Sequence, residues 1–280
     1  MRNLLRSGFS RLWRSKLLYL GILAVAAQVA YTLVNNLHYK SLWGLEELTA
    51  INLIFAGTQL LPIVLAGFIS FFVGVEYGDK TIRNKLTVGY TRSAVYLANL
   101  IVCAAAALIM YVAGSGLVIA IGAPLLGGFS GVPYVLILQI LCSCLTVVAL
   151  MAVLLLCAML ITNRAVGVVV SILIAVGLVF LITPELDNML SAPEMIGGWS
   201  YTVNGVLYEV PVQPNPDYLS GFGRVLAQFL HDLLPTGQLY QYGGSEILPC
   251  DLALFSLYSV LLIALTAVVG IFFFKRKDLK

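Results

Sequence analysis

Charged residues are scarce in this chain. Asp, Glu, Lys and Arg together make up 10% of its 280 residues, whereas hydrophobic residues make up 60%, and the mean hydropathy is +0.98. A soluble domain carries about 25% charged residues. The composition therefore excludes a soluble globular domain and predicts an integral membrane protein.

Residues that bind metals or catalyse reactions are also few. His38 and His231 are the only histidines, and neither has a cysteine or histidine partner at ligand spacing, so we expect no metal site. The sequence has no Gly-x-x-x-x-Gly-Lys-Ser/Thr phosphate-binding loop. No Ser/His/Asp set or carboxylate pair lies in an enclosed apolar setting, so we expect no catalytic residue and no enzyme activity on this chain.

Six apolar runs, none of which contains Asp, Glu, Lys, Arg or His, are long enough to cross a membrane. A helix needs roughly 17–25 residues to span the hydrocarbon core. Helices are favoured over strands because the runs are continuous and do not alternate polar with apolar residues. The sequence thus predicts an all-α polytopic membrane protein with six transmembrane helices. The predicted spans are 17–34, 53–75, 94–121, 134–161, 165–182 and 252–274.

The basic residues are concentrated on one side of these spans. Fourteen of the 16 Lys and Arg residues fall in 2–16, 80–92, 275–280 or at Arg164, whereas ten of the thirteen acidic residues fall on the other side. An excess of Lys and Arg marks the cytoplasmic side of a membrane protein. Both termini are therefore predicted to be cytoplasmic.

Residues 1–16 form a basic segment before the first span. At 100° per residue its apolar side chains share one face, with Arg11 and Arg14 opposite. These apolar residues are Leu5, Phe9, Leu12 and Trp13. We predict a helix that lies in the cytoplasmic membrane interface. The alternative is a cleaved signal peptide, for which Ala24-Val25-Ala26 resembles a cleavage site.

The outer segment 183–251, between the fifth and sixth spans, has 69 residues and contains seven of the ten prolines. A connection this long usually has its own structure. Residues 201–210 read as a β-hairpin around Asn204-Gly205, a dipeptide suited to a type I′ turn. Residues 223–234 read as an amphipathic helix with Val225, Phe229 and Leu233 on one face. We therefore expect a small extracytoplasmic subdomain, which divides the chain into segments 1–16, 17–182, 183–251 and 252–280.

Neutral polar side chains occur within several spans. Their ordinary role is hydrogen bonding between helices, and the alternative is to line a substrate path. The candidates for such a path are Thr58, Gln59 and Pro62, with a helix kink expected at Pro62. An ion-coupled carrier normally needs ionisable groups inside the membrane, and the predicted spans have none. Energy for transport would then come from another polypeptide.

The connector 76–92 is long and charged for a link between two spans. Asp79 can cap a short helix over residues 80–86, which places Ile82 and Leu86 on one face. Gly89 can end this helix, and Thr91 can cap the next span. An amphipathic helix with a basic rim can dock in the groove of a soluble partner. Alternatively, the basic cluster touches anionic lipid.

With these features the sequence resembles the membrane subunit of the type-2 exporter family of ABC transporters. The basic N-terminal helix, six spans with both termini inside and a large outer segment all match. The motifs that carry the resemblance are Glu76-Tyr77, Lys80-Thr-Ile-Arg-Asn-Lys-Leu86, Gly89-Tyr90-x-Arg92 and Leu233-Leu-Pro-Thr-Gly-Gln238.

In this family the connector after the second span is a coupling helix that docks on a separate ATP-hydrolysing subunit. The resemblance implies a docking surface on the connector and a connecting helix at residues 3–15. The implied docking residues are Glu76, Lys80, Thr81, Ile82, Arg83, Asn84, Lys85, Leu86 and Arg92.

The resemblance also implies an assembly. Two permease chains, identical or paralogous, would combine with two ATPase chains in a prokaryotic plasma membrane. ATP and Mg would bind to the ATPase subunits, and this chain would carry no cofactor. The substrate path would lie between the permeases, along the second and fifth spans, and would suit amphiphilic peptides, lipids or drugs. The alternative is a non-transporting membrane scaffold or immunity protein whose outer domain binds a ligand.

Overall fold

The structure, a computed structural model, describes residues 1–43, 53–55, 59–126, 133–161, 163–203, 206–243 and 248–277. The helices of the described residues are α1 (Arg2–Arg14), α2 (Lys16–Trp43), α3 (Leu61–Gly78), α4 (Thr81–Thr87), α5 (Arg92–Leu117), α6 (Ala123–Leu126), α7 (Pro133–Leu160), α8 (Arg164–Gly177), α9 (Thr183–Ser191), α10 (Gly221–Leu233), α11 (Pro235–Gln241) and α12 (Pro249–Arg276). Two π-helical segments, Val118–Gly122 and Leu178–Ile182, join α5 to α6 and α8 to α9. The strands are β1 (Met195–Ile196), β2 (Ser200–Val203), β3 (Val206–Glu209) and β4 (Gln213–Pro214).

Six helices are long and apolar enough to cross a membrane, which confirms the predicted all-α polytopic architecture. The bounds of the second span differ from the prediction. Its helix α3 begins at Leu61 and continues beyond residue 75 to Gly78, so that it includes Glu76. Pro62 lies in the first turn of α3, where its missing N–H has no helical acceptor to lose, so the expected kink at Pro62 is wrong.

Small residues allow α3 and α8 to pack closely. Each helix carries three buried small residues at four-residue spacing, a pattern that brings helix backbones together in membranes. They are Ala66, Ser70 and Gly74 on α3 and Gly167, Ser171 and Ala175 on α8. The Ser70 hydroxyl donates a hydrogen bond of 3.5 Å to the carbonyl oxygen of Gly167. The second and fifth spans are therefore direct neighbours within one chain.

The outer segment contains the predicted hairpin. Strands β2 and β3 pair antiparallel, with Tyr201 opposite Tyr208 and Val203 opposite Val206. Asn204-Gly205 lies outside the described residues. A second ladder joins β1 to β4, with Ile196 opposite Gln213. The outer segment thus contains a confirmed hairpin, supported by a further short strand pair.

The predicted amphipathic helix is also present, as α10. Its orientation is the reverse of a soluble helix: Val225 is 67% exposed and Phe229 43% exposed, whereas His231 and Asp232 are buried. The inner face is polar because α10 and α11 pack against a hydrogen-bond network between the spans. Burial lowers the pKa of His231, an effect that the carboxylates of Asp187 and Asp232 oppose.

Gln238 of α11 is the centre of that network and is fully buried. Its side-chain oxygen accepts hydrogen bonds of 2.8 Å each from Thr146 on α7 and Ser259 on α12. Its amide nitrogen donates to the carbonyl oxygen of Asp232 at 2.7 Å. One side chain therefore fixes the outer helices to two spans.

Candidate functional site

A buried carboxylate lies where α1, α3, α4 and α5 meet, at the end of the bundle that carries the basic residues. Glu76, in the last turn of α3, is 1% exposed. Its Oε1 atom forms ion pairs with the Arg11 guanidinium of α1 and the Lys85 ammonium of α4. Its Oε2 atom accepts a 2.9 Å hydrogen bond from the Asn99 amide of α5. We call these four residues the Glu76 cluster.

Packing of α1 against the spans brings Arg11 to Glu76. Leu12 is fully buried, and a side chain at Gly8 would collide with Val102 of α5, so α1 lies close to the bundle. The Arg11 guanidinium also stacks on the Phe72 ring, 3.9 Å from its centroid. The helical pattern of the sequence predicted Arg11 on the polar face of α1. In the structure the Arg11 side chain points toward the spans, where it contacts Glu76 and Phe72.

The charges of the Glu76 cluster depend on one another. A carboxylate removed from water is costly unless cations and hydrogen-bond donors compensate for the lost hydration. Glu76 has two cations and one amide, each from a different helix. Removal of any one partner therefore weakens the contact between α3 and a neighbouring helix. The cluster joins the N-terminal helix, the connector helix and two spans into one unit.

The cap of α4 differs from the prediction. Lys80 is the N-cap residue of α4 and adopts φ 55°, a left-handed conformation, so Asp79 is not the cap. The remaining local predictions are confirmed. Gly89 follows the helix with φ 99°, and the Thr91 hydroxyl accepts a 3.2 Å hydrogen bond from the amide of Ala94 at the start of α5.

The structure separates the predicted docking residues by exposure. The exposed ones are Lys80, Arg83 and Asn84. The half-buried ones are Thr81, Lys85, Leu86 and Arg92. The buried ones are Glu76 and Ile82. Val88, which the sequence analysis did not single out, is 78% exposed at the C-terminal end of α4.

The apolar pair of the connector faces its own chain. Ile82 is 1% exposed, and Leu86 packs against the same hydrophobic core. The surface of α4 and its two ends that is open to a partner is therefore formed by Lys80, Arg83, Asn84, Thr87 and Val88. This surface presents two cations, two neutral polar side chains and one apolar side chain between the second and third spans.

Two further cations at this end, Arg92 and Lys277, bind carbonyl oxygens at the C-termini of helices. The Arg92 guanidinium donates hydrogen bonds to the carbonyl oxygens of Phe274 at 3.1 Å and Lys275 at 3.0 Å, and also to that of Lys277. These are carbonyls that a helix end leaves without intrahelical partners. Arg92 is thus a C-terminal cap supplied by another helix.

Lys277 provides a second such contact. Its ammonium donates to the carbonyl oxygen of Met159, near the end of α7, at 2.8 Å and to the Tyr77 hydroxyl at 3.2 Å. It also lies 4.3 Å from the centroid of the Tyr77 ring. Burial lowers the pKa of Lys277 to about 8. Because Tyr77 adjoins Glu76, this contact connects the C-terminal tail to the Glu76 cluster.

Sequence patterns do not predict the contacts of Asn99 and Lys277. Asn99 is an amide within an apolar run, a signal that resembles ordinary helix packing. Lys277 is one of several basic residues in the C-terminal tail and has no distinguishing motif. Only the packing of distant helices shows that these two side chains contact the connector region.

The candidate path residues Gln59 and Pro62 lie at the other end of α3. Thr58 is outside the described residues, Gln59 is exposed and Pro62 is buried. Next to them a half-open cleft of about 370 Å³ lies between α2 and the start of α3. Its lining is apolar apart from Gln28 and Tyr31. A substrate path at this position stays a prediction.

The residues predicted to place α1 in the membrane interface differ in exposure. Leu12 is buried, and Leu5 and Phe9 are half-buried against the core. Trp13 is 54% exposed. Only Trp13 of these four is therefore free to contact lipid headgroups, while the others attach α1 to the spans.

Comparisons with known proteins agree with this architecture. Residues 4–182 match the family model described as ABC-2 family transporter protein. The match includes α1, the Glu76 cluster and the first five spans. A search of curated proteins finds no significant match.

Proposed function

The chain belongs to the ABC-2 family of transporter proteins, and from this premise we propose that it is the permease of an ATP-driven exporter. A separate ATPase subunit would dock on segment 76–92. The permease would work as a pair, with a second copy or a paralogue, beside two ATPase chains that bind ATP and Mg. We place the complex in a prokaryotic plasma membrane, with both termini of the permease in the cytoplasm.

The Glu76 cluster is the observation that carries this proposal. A docked helix transmits movement only if it is attached to the elements that must move. Lys85 attaches α4 to the end of α3 through Glu76, which in turn contacts Arg11 on α1 and Asn99 on α5. A displacement of α4 by the ATPase would therefore move the second and third spans together.

The packing of α3 on α8 extends this link. Ser70 and Gly167 hold the second and fifth spans in direct contact. Movement of α3 would thus reach the helices that the resemblance assigns to the substrate path. Of the candidate path residues Thr58, Gln59 and Pro62, the last two lie at or just before the start of α3, and the neighbouring apolar cleft suits an amphiphilic peptide, lipid or drug.

Docking can be tested on the exposed face of α4. Arg83→Glu together with Val88→Asp should abolish co-purification of the ATPase, because the pair reverses one charge and removes the exposed apolar contact. Both side chains are exposed, so membrane insertion and thermal stability should be retained. Arg6→Glu is the matched control, since it reverses an exposed charge on α1. Undiminished co-purification of the double variant would refute docking at this face.

The second candidate function is a non-transporting scaffold or immunity protein. The ordered outer segment, with its hairpin and buried Gln238 network, favours this candidate. Reconstitution with the ATPase distinguishes the two functions. Substrate-stimulated ATP hydrolysis is expected for the exporter, and ligand binding with no effect on hydrolysis is expected for the scaffold.

A further inference from the structure

Three aromatic rings form a continuous exposed surface on the outer hairpin. Trp199 lies immediately before β2, and alternate residues of a strand share one face. The Trp199 and Tyr201 ring centroids are 5.4 Å apart, and the Tyr201 and Tyr208 rings stack at 5.4 Å with 15° between their planes. Trp199 is 59% exposed, Tyr201 44% and Tyr208 48%. We call these three residues the aromatic face.

The backbone holds this face in place. The amide of Gly198 donates to the carbonyl oxygen of Val210 at 2.8 Å, and the amide of Val210 donates to that of Trp199 at 3.0 Å. Gly197 adopts φ 98°, and a side chain there would collide with the carbonyl oxygen of Pro211. The backbone that carries the rings is therefore fixed before any ligand arrives, which lowers the entropic cost of binding.

The segment around the aromatic face is strongly acidic. Residues 183–251 contain eight carboxylates against one guanidinium, that of Arg224. The acidic residues are Glu185, Asp187, Glu194, Glu209, Asp217, Asp232, Glu246 and Asp251. Such a segment attracts cations at long range and repels anionic lipid surfaces. Aromatic rings then bind cationic and apolar groups at short range.

We propose that the aromatic face captures cationic amphiphilic peptides from the outer side of the membrane. The carboxylates of the outer segment would concentrate the peptide, and the three rings would bind its Lys, Arg and apolar side chains. The proposal goes beyond the transport function and does not require it, because capture is measured without the ATPase. A failed capture experiment therefore leaves the docking proposal intact.

Trp199 can report this binding directly. The chain has three tryptophans, and Trp13→Phe with Trp43→Phe leaves Trp199 as the only one. The full-length variant is placed in zwitterionic lipid nanodiscs and titrated with a synthetic Lys/Leu peptide without aromatic residues. We expect a saturable change in Trp199 emission that weakens with added salt. Empty nanodiscs titrated in parallel correct for partition of the peptide into lipid.

Substitutions on the two faces of the hairpin provide the test. Tyr201→Ala with Tyr208→Ala should weaken binding about tenfold, because two exposed ring contacts are lost. Tyr201→Phe with Tyr208→Phe keeps the rings and should retain the affinity, which separates ring contacts from hairpin folding. Leu207→Ser is the matched control, since Leu207 is 60% exposed next to Tyr208 but on the opposite face.

Three results would overturn the proposal. The first is equal affinity of the double alanine variant and the parent. The second is equal binding of a Glu/Leu peptide of the same length, which would remove the electrostatic argument. The third is quenching of Trp199 by brominated lipid before any peptide is added, because the aromatic face would then lie on the bilayer.

Discussion

Lys85 forms an ion pair with Glu76, nine positions earlier, across the turn between the second span and the connector helix. The left-handed Lys80 separates α3 from α4 at this turn, because a residue with positive φ does not continue a right-handed helix. The same carboxylate oxygen contacts Arg11 of the N-terminal helix. The connector and the N-terminal helix are therefore both attached to the second span through one side chain.

Glu76→Gln should destabilise the permease and reduce coupling. The variant removes a buried negative charge and leaves Arg11 and Lys85 without their counterion, a change that typically costs about 3–5 kcal/mol. We expect a lower melting temperature in detergent and, with the ATPase bound, less transport for each ATP hydrolysed. Asp79→Asn is the control, since Asp79 is exposed and forms no ion pair within the part of the chain that the structure describes. Equal melting temperatures for Glu76→Gln and the parent would contradict the assigned role.

Hydropathy predicts the spans well because each span is a local, continuous apolar run of the chain. Six apolar runs gave six helices, and Gly89 and Thr91 have the local roles that their residue types indicate. The Asn204-Gly205 dipeptide likewise predicted the hairpin that β2 and β3 form. Boundaries were less predictable: α3 starts later than its apolar run and continues through Glu76, whose cationic partners offset its charge.

The Glu76 cluster could not be predicted from local patterns. Arg11 is 65 positions from Glu76, and Asn99 is 23 positions from it. Only the packing of α1 and α5 against α3 brings these groups together. The spacing of Ile82 and Leu86 predicted an apolar face on α4, but spacing does not show whether such a face meets a partner or its own core.

The stability of the protein should depend on pH through Lys277. Its folded pKa is about 8, below the ordinary value of 10.5, because burial disfavours the charged ammonium. Between these values the unfolded chain binds more protons than the folded chain, so the free energy of unfolding rises with pH. The parent should therefore gain melting temperature relative to Lys277→Met between about pH 8 and 10.5.

Lys275→Met is the control for this titration. Lys275 is exposed on the same tail, and its side chain makes no hydrogen bond or ion pair in the described part of the chain. Its melting curve should follow that of the parent at every pH. If Lys277→Met also runs parallel to the parent, the Lys277 ammonium does not titrate in this range.

The contact between α5 and α12 has no space for an additional methyl group at Gly270. A Cβ atom there would collide with the Tyr96 ring, whose hydroxyl donates to the carbonyl oxygen of Thr266 at 3.2 Å. Gly270→Ala should cost about 1–3 kcal/mol by overpacking. In a Tyr96→Ala background the same change should cost almost nothing, because the colliding ring is absent. Gly116→Ala is the control, since no atom lies near its added methyl group. Additive losses from Gly270→Ala and Tyr96→Ala would show that the ring and the glycine do not interact.

Gln238→Leu should release the outer helices from the spans. The leucine matches glutamine closely in size but removes the acceptor for Thr146 and Ser259 and the donor to the Asp232 carbonyl oxygen. Each buried polar group left without its partner costs about 1–3 kcal/mol. We expect faster proteolysis within residues 221–243 and a lower melting temperature, while Gln213→Leu, at an exposed position of β4, changes neither.

Because Thr146 and Ser259 also lie within 3.3 Å of each other, they retain one hydrogen bond, so the loss should be smaller than that of three independent groups. An unchanged proteolysis rate would mean that apolar packing of α11, and not Gln238, holds the outer helices in place.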